Sequence, residues 1–296
     1  MVTSLATPKM IGPYQVVGRI GRGGSGVVFH AQRTSDGKDV AVKWLRPDQN
    51  EDPVQRARFR REIAFLSAYR LHPHILHFVD AGVHEGSPFC VTEYVPGGAL
   101  DRKMRAGFRP RRVDSLTIAM HLLSALQYLH EHRVVHRDVK LSNVLMREDG
   151  RVVLGDFGTA RHDGLSTITH QGAGGLGTEG YCAPEQFSEP RDVGPPADLF
   201  GVGAILYRLV TRQRPRGLEF SEFDGSVLDV LPASLRPLVA RATRHDPRNR
   251  YQTANQMAVD VSRVLRDEEA LAFEPAPAVD SSSLETLISQ GEPPTL

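Results

Sequence analysis

The sequence is short of the features that would assign it early to a specialised class. Its 296 residues include two cysteines, Cys90 and Cys182, and no CxxC pair. A disulfide framework is therefore excluded, and a cysteine-based metal site is not expected. The longest strongly apolar run, Leu199 to Tyr207, has nine residues, two of them glycines, far fewer than a bilayer span requires. The N-terminus lacks a basic patch followed by an uninterrupted apolar stretch, so no secretory leader is expected. Neither sign of charge dominates: 36 Lys+Arg stand against 35 Asp+Glu. A net charge of +1 gives no electrostatic ground for nucleic-acid binding. The expectation is a soluble chain with reduced thiols, no membrane segment and a cytoplasmic location.

What is present suits a globular protein. Hydrophobic residues make up 40% and charged residues 24%, enough for real cores in two domains or in one domain of two lobes. The charge balance is uneven along the chain. Residues 1–92 carry 12 basic and 8 acidic side chains, whereas 267–296 carry 7 acidic and none basic.

After a ragged lead-in over residues 1–10, the pattern from Tyr14 reads as strand, glycine turn and strand. The Ser35-Asp36-Gly37-Lys38 turn leads to a third strand, DVAVKWL. Pro47 to Pro53 reads as a polar connector. The next segment spaces Phe59, Ile63, Leu66 and Tyr69 as one helix face, with arginines opposite. Two more strands are expected around ILHFVDAGV and PFCVTEYV. Past Pro96-Gly97-Gly98, the segment 116–132 spaces Leu116, Ala119, Met120, Leu123, Leu126, Leu129 and His130 as a buried helix face. A short hairpin around the Asp149-Gly150 turn follows, then a long glycine-rich loop over residues 158–180. Further helices are expected near 198–210, 233–242 and 254–266. Residues 267–296 read mostly as an acidic tail containing Pro and Ser. Within it, Ser282-Ser283-Leu284-Glu285 has capping-box spacing, and Leu284, Leu287 and Ile288 form one stripe. A short helix over 282–288, docked on the basic first lobe, is weighed there against a simple flexible tail.

The chemistry is concentrated in a few short motifs. Gly21, Gly23 and Gly26 form GxGxxG ahead of Val28. A dinucleotide fold would open a helix from the last glycine, but here a strand pattern follows. A glycine hairpin can instead lie over phosphates, because backbone N–H groups approach closely where side chains are absent. Strand alternation puts Ala41 and Lys43 on one face, so the lysine ammonium can point beneath that hairpin. Glu62, from the arginine-rich helix, is its expected partner across the cleft. The decisive run is His136-Arg137-Asp138-Val139-Lys140-Leu141-Ser142-Asn143, followed after the hairpin by Asp156-Phe157-Gly158.

HRDxKxxN and DFG in this order, after the glycine hairpin and Lys43, resemble the protein kinases, specifically the eukaryotic-like serine/threonine kinases of bacteria. The resemblance covers residues 12–266. It implies an α+β fold of two lobes: a small antiparallel sheet lobe at 12–95, and a larger, mostly helical lobe at 96–266. It implies ATP-dependent phosphorylation of Ser/Thr hydroxyls on proteins, with Mg²⁺ as the metal and Mn²⁺ as a substitute. By that resemblance Asp138 orients the acceptor hydroxyl, Lys140 stabilises the transferring phosphoryl group, and Asn143 and Asp156 hold the metal. Lys43, held by Glu62, bridges the α/β-phosphates. Glu93-Tyr94-Val95 is the hinge, with Thr92 as gatekeeper, and Ile20, Val28, Ala41 and Leu145 enclose the purine. Leu66, His136 and Phe157 form a regulatory spine. Asp198 anchors the catalytic loop, and Glu185 of Ala183-Pro184-Glu185 pairs with Arg250.

The resemblance also implies partners: protein substrates, and transient self-association for autophosphorylation on Ser166, Thr167 or Thr169, with Arg137 receiving the new phosphate. Leu141 and Glu179 stand where the family usually has proline, and Cys182 where Met is common. The stretch from Pro215 to Arg241 is short, so the helix often found there is expected to be small or absent. Two other readings are carried alongside: a catalytically silent scaffold, and a small-molecule phosphotransferase. Intact Lys43, Asp138, Asn143 and Asp156 argue against the first, and Lys140 with the Gly177-Thr178 and Ala183-Pro184-Glu185 elements against the second. The chain is expected to be a soluble kinase or the kinase part of a longer one.

Overall fold

A computed structural model describes residues 7–23, 26–162, 180–188 and 193–272. The glycine-rich loop with Ser166, Thr167, Thr169, Gly177, Thr178 and Glu179, and the 282–288 segment, lie outside the described residues. The first lobe is one antiparallel sheet of six strands: β1 (Met10–Ile11), β2 (Tyr14–Gly23), β3 (Gly26–Arg33), β4 (Asp39–Trp44), β5 (Phe78–His84) and β6 (Ser87–Glu93), in the order β1-β2-β3-β4-β6-β5. Alternation along β4 buries Val40, Val42 and Trp44 with Phe29 and Phe89 on one face, which turns Ala41 and Lys43 to the other. At the β2–β3 tip Gly26 has φ +136°, and a Cβ there would stand 2.5 Å from the Trp44 carbonyl oxygen. Only glycine closes that hairpin.

Between the strands lie helices α1 (Pro47–Asn50) and α2 (Pro53–Tyr69). The first corrects the expected polar connector. Extended Arg46, Pro47 at the first helical position and Asp48 in the first turn are start signals strong enough for one turn. In α2 the Asp52 side chain accepts from the Val54 amide at 2.8 Å, and Phe59, Glu62 and Leu66 are the buried positions. The lead-in also contributes more than expected, since Met10 and Ile11 pair with β2 and Ile11 is fully buried.

The second lobe contains α3 (Leu100–Arg105), α4 (Arg112–Glu131), β7 (Val134–Val135), β8 (Val144–Met146), β9 (Val152–Leu154), β10 (Arg161–His162), α5 (Glu185–Ser188), α6 (Pro195–Thr211), α7 (Arg236–Ala242) and α8 (Ala254–Ala272). Thus the chain has two lobes, one an antiparallel sheet with a helix and the other mostly helical. Helix α4 is buried more widely than a single stripe: Ile118, Leu122 and Ala125 join Leu116, Ala119, Leu123, Leu126 and Leu129, while Met120 is half-buried. Helix α8 continues to Ala272, six residues past its expected end at Arg266. The extension is tied down where Glu268, nearly buried, meets Arg112 at 3.2 Å. Between Pro215 and Arg241 the short stretch forms two 3-10 turns, Leu218–Phe220 and Gly225–Leu228, before α7. One apolar cluster runs from Phe59 and Leu66 of α2 through Phe157 to α4, α6 and α8, so the lobes share a core. Among the described residues no helix is long and apolar enough to cross a membrane.

Helix α6 carries the His136–Asn143 segment on its surface at very close range. A Cβ on Gly201 would lie 2.6 Å from the Val139 carbonyl oxygen and 2.8 Å from Val139 Cβ. Alanine normally stabilises a helix interior by about 1 kcal/mol relative to glycine. Here overpacking outweighs that gain, so Gly201→Ala is expected to destabilise the protein by about 1–3 kcal/mol. A raised melting temperature for this variant would contradict the close approach.

A stack of rings joins the turn after α2 to α4. The His74 and His121 rings are 4.1 Å apart and nearly parallel, and His72 stacks on Tyr128 at 5.0 Å. His74 Nδ1 donates to the Val152 carbonyl at 2.9 Å, and His72 Nε2 donates to Ser124 Oγ at 3.3 Å. Burial lowers the pKa of His72 and His74, and burial with the His74 and Arg151 charges pushes His121 down to about 4. These rings are neutral in the fold and bind protons more readily when unfolded. Their contribution is complete above the ordinary histidine value of 6.5 and is lost as the pH falls towards about 4. Thermal unfolding should show stability dropping through that window, and His121→Phe should flatten the drop.

Candidate active site

The lobes enclose a cleft of about 350 Å³. Ile20, Gly21 and Val28 of the glycine hairpin line it with Ala41. Thr92, Glu93, Tyr94 and Val95 form its closed edge, and Leu145 faces them from the second lobe. Lys43, Glu62, Asn143 and Asp156 stand at its inner end. Gly26 pairs with Gly23 at the hairpin tip and does not line the cleft. The closed edge is braced by Glu93, whose carboxylate accepts from Arg147 Nη2 at 2.8 and 2.9 Å and from the His77 amide at 3.0 Å. Cys90, opposite Lys43 in the sheet, also lines the cleft, and burial pushes its thiol pKa up. That thiol is protonated and unreactive at neutral pH.

Lys43 reaches both oxygens of Glu62 at 2.7 Å and stands 3.7 Å from Asp156 Oδ1. Burial opposes the ammonium charge, but Asp156 and Glu62 outweigh it and hold the Lys43 pKa above the ordinary lysine value. Lys43 in turn draws the Asp156 carboxyl below its usual range. Burial pushes Glu62 the other way, with Lys43 opposing. The inner end of the cleft therefore holds a fixed cation and an ionised carboxylate that is still 43% exposed.

The segment His136–Asn143 supplies the facing groups. Asp138 Oδ1 is 2.8 Å from Lys140 Nζ, and Asn143 Nδ2 donates to the Asp138 carbonyl at 2.8 Å and to its Oδ2 at 3.0 Å. With its nitrogen thus committed, Asn143 offers Oδ1 as a donor oxygen, approached by Ser142 Oγ only at 3.4 Å. Asn143 Oδ1 and the Asp156 carboxylate are hard oxygens that suit Mg²⁺ or Mn²⁺. An octahedral ion needs more oxygens than these two, which phosphate and water would supply.

Beneath this segment Asp198 is fully buried. It accepts from the His136 and Arg137 amides at 2.9 and 2.7 Å and from His130 Nε2 at 2.9 Å. Burial works against its charge, and these hydrogen bonds outweigh burial to hold the carboxyl below its usual range. Leu66, His136 and Phe157 are all buried, with the His136 and Phe157 rings 4.9 Å apart. Three contacts were not read from the sequence. Arg58, one turn before Glu62, donates to the Gly158 carbonyl at 3.3 Å; Arg102 of α3 donates to the Ile20 carbonyl; and Gln186 donates to the Arg137 carbonyl. Each ends on a backbone oxygen, which sequence does not mark.

These arrangements match a known domain. The family model described as protein kinase domain fits residues 14–260. The chain belongs to the protein kinase family. It is 36% identical over 282 residues to a probable serine/threonine-protein kinase of Streptomyces coelicolor, covering 87% of this chain and 40% of that one. A probable serine/threonine-protein kinase PknB of Bifidobacterium longum is 32% identical, covering 96% and 44%. Serine/threonine-protein kinase PrkC of Bacillus subtilis is 30% identical, covering 86% and 40%. The chain thus spans about two-fifths of the length of these curated relatives.

The kinase family's Ala-Pro-Glu element is anchored by a largely buried ion pair. Arg250 donates from Nη1 and Nη2 to the two Glu185 oxygens at 2.7 and 2.8 Å, from Nε to the Arg244 carbonyl and from Nη2 to the His245 carbonyl. Its side chain is wholly buried. Removing one member of such a pair strands the other, so Arg250→Met is expected to cost about 3–5 kcal/mol of stability. Urea unfolding measures this; a loss under 1 kcal/mol, on the order of an exposed pair, would contradict it.

Proposed function

We propose that this chain transfers the γ-phosphoryl group of ATP to Ser/Thr hydroxyls of protein substrates, with its own glycine-rich activation segment among the acceptors. The observation that carries this reading is the convergence, at one end of one cleft, of the Lys43–Glu62 pair, Asp156, and the Asp138–Lys140–Asn143 group. Phosphoryl transfer asks chiefly for alignment and for neutralisation of spreading charge. In this reading the adenine lies between Val28, Ala41 and Leu145, with its edge on the Glu93–Val95 backbone and Thr92 behind it. Lys43, kept charged and fixed by Glu62, draws the α/β-phosphates inward. Asp138 accepts the hydrogen bond of the incoming hydroxyl and takes its proton as the new P–O bond forms, while the bond from the γ-phosphorus to the bridging oxygen breaks and ADP leaves with that electron pair. Lys140 sits against Asp138 and balances charge on the transferring group. Mg²⁺ or Mn²⁺, held by Asn143 and Asp156, would neutralise phosphate charge when bound.

Protein substrates are favoured over small molecules by Lys140 together with the Ala183-Pro184-Glu185 element. Self-phosphorylation at Ser166, Thr167 or Thr169 calls for transient association of two copies. A cytoplasmic location fits the thiols and the supply of ATP.

Incubation with Mg²⁺ and labelled ATP, alone and with a generic basic protein, tests this reading. Label is expected on the chain and on Ser/Thr of the added protein, with phosphopeptides mapping to the activation segment. Asp138→Asn, Lys43→Met and Asp156→Ala should each lower turnover by at least about a hundredfold; Asp138→Asn should melt near the parent, whereas Lys43→Met should also lose stability because it strands the buried Glu62. Parental turnover by Asp156→Ala would remove the metal-binding assignment. Binding of nucleotide without transfer would leave a silent scaffold.

A further inference from the structure

Among the described residues, each of the six backbone N–H and C=O groups from His136 to Asp138 is bonded by a side chain. Arg137 has φ +67°, a left-handed conformation that interrupts any regular ladder and leaves its peptide groups to find other partners. The His136 and Arg137 amides donate to Asp198. The His136 carbonyl accepts from Thr159 Oγ1 at 3.2 Å, the Asp138 amide donates to His136 Nδ1 at 3.3 Å, and the Asp138 carbonyl accepts from Asn143. The sixth group, the Arg137 carbonyl, accepts from Gln186 Nε2 at 2.8 Å. Gln186 lies on α5, directly after the Ala183-Pro184-Glu185 element, and its Oε1 accepts from the Ala183 amide at 3.0 Å. Both ends of the amide are therefore in use, and the side chain can neither flip nor swing without losing one bond.

We infer that Gln186 is a positioning residue for Asp138, fastening the end of the activation segment to the peptide that enters the catalytic aspartate. The inference rests on the reading of Asp138 as the group that orients the acceptor hydroxyl. The Arg137 carbonyl belongs to the peptide bond whose nitrogen is that of Asp138, so its direction fixes the plane from which the Asp138 side chain departs. Asp198 holds the amide side of Arg137 from α6, and Gln186 holds the carbonyl side from α5. Residue chemistry narrows the choice. Glutamate of the same shape presents acceptors to both partners and repels the Arg137 carbonyl. Methionine fills the space and bonds to neither. Glutamine satisfies both.

The test compares Gln186→Glu and Gln186→Met with the parent in turnover and in hydrogen exchange of the peptide spanning residues 134–143. Near pH 8 both variants should lose roughly ten- to a hundredfold in kcat towards a Ser/Thr peptide, with KM for ATP within about twofold. Lowering the pH until the introduced carboxyl protonates restores an O–H donor towards the Arg137 carbonyl. The Gln186→Glu variant should then recover towards the parent, whereas Gln186→Met should not. Exchange at the Arg137 and Asp138 amides should quicken in Gln186→Met, and in Gln186→Glu only at the higher pH. Unchanged kcat and exchange in Gln186→Met would overturn the inference, as would a Gln186→Glu loss that acid does not relieve. Should the parent show no turnover, the kinase reading fails, and the exchange arms alone decide whether Gln186 holds the loop.

Discussion

One buried carboxylate underlies the His136–Asn143 segment. Asp198 sits in the first turn of α6 with no exposed surface, an environment that opposes ionisation. Its charge is retained because two backbone amides and His130 donate to it. That satisfies the acid and at the same time fixes the two residues before Asp138. Helix α6 can deliver the carboxylate there because Gly201, one turn later, lets the helix touch the Val139 backbone. The most apolar helix of the chain is thus also the one that carries the acid into the core, and its burial is what makes the anchor rigid.

The same logic extends across the lobes. Lys43 comes from a strand of the first sheet and Asp156 from the far side of the cleft, and neither lobe alone contains the set. Glu62 connects them because Phe59 and Leu66, its neighbours on α2, pack into the core that continues through Phe157 into the second lobe. Moving α2 would therefore disturb the ion pair and the Phe157 packing together. Arg58 reinforces this, since it joins α2 to the Gly158 carbonyl just beyond Asp156. At the closed edge Arg147 reaches from the second lobe to Glu93, so the cleft is braced by charge at both ends.

Much of this was legible in the sequence, for physical reasons. The period-2 pattern of β4 placed Lys43 beside Ala41, and the 3.6-residue period of α2 gave its core face. Glu62 was the acid on that helix able to meet Lys43. The Asp198 anchor and the Glu185–Arg250 pair came from motif resemblance, not periodicity. Short elements escaped. Helix α1 has no buried residue and α3 only Leu100, so neither leaves an apolar pattern to read. The end of α8 was misplaced because its last turns are acidic. Glu268 is nearly buried against Arg112, a tertiary contact that overrides composition. Contacts to backbone oxygens were invisible for a different reason: a carbonyl exists at every residue, and only the fold selects the one that is used.

Two left-handed residues carry the functional geometry, Arg137 ahead of Asp138 and Asp156 itself, with φ +67° and +59°. Such conformations cost about 1–3 kcal/mol each and persist only where the surroundings over-determine them. At Arg137 hydrogen bonds on both sides of the residue supply that constraint. At Asp156 the compensation is of another kind. The turn sends the carboxylate to the cleft and the next side chain, Phe157, to full burial beside Leu66 and His136. Burying a phenylalanine contributes about 1.5–3 kcal/mol, the same size as the strain it offsets. Charge placement at Asp156 is therefore held by an apolar contact one residue away, and the stability of that contact depends on α2 staying where Glu62 meets Lys43. The ionic and apolar halves of the site meet on one helix, because α2 supplies both Glu62 to Lys43 and Leu66 to the packing around Phe157.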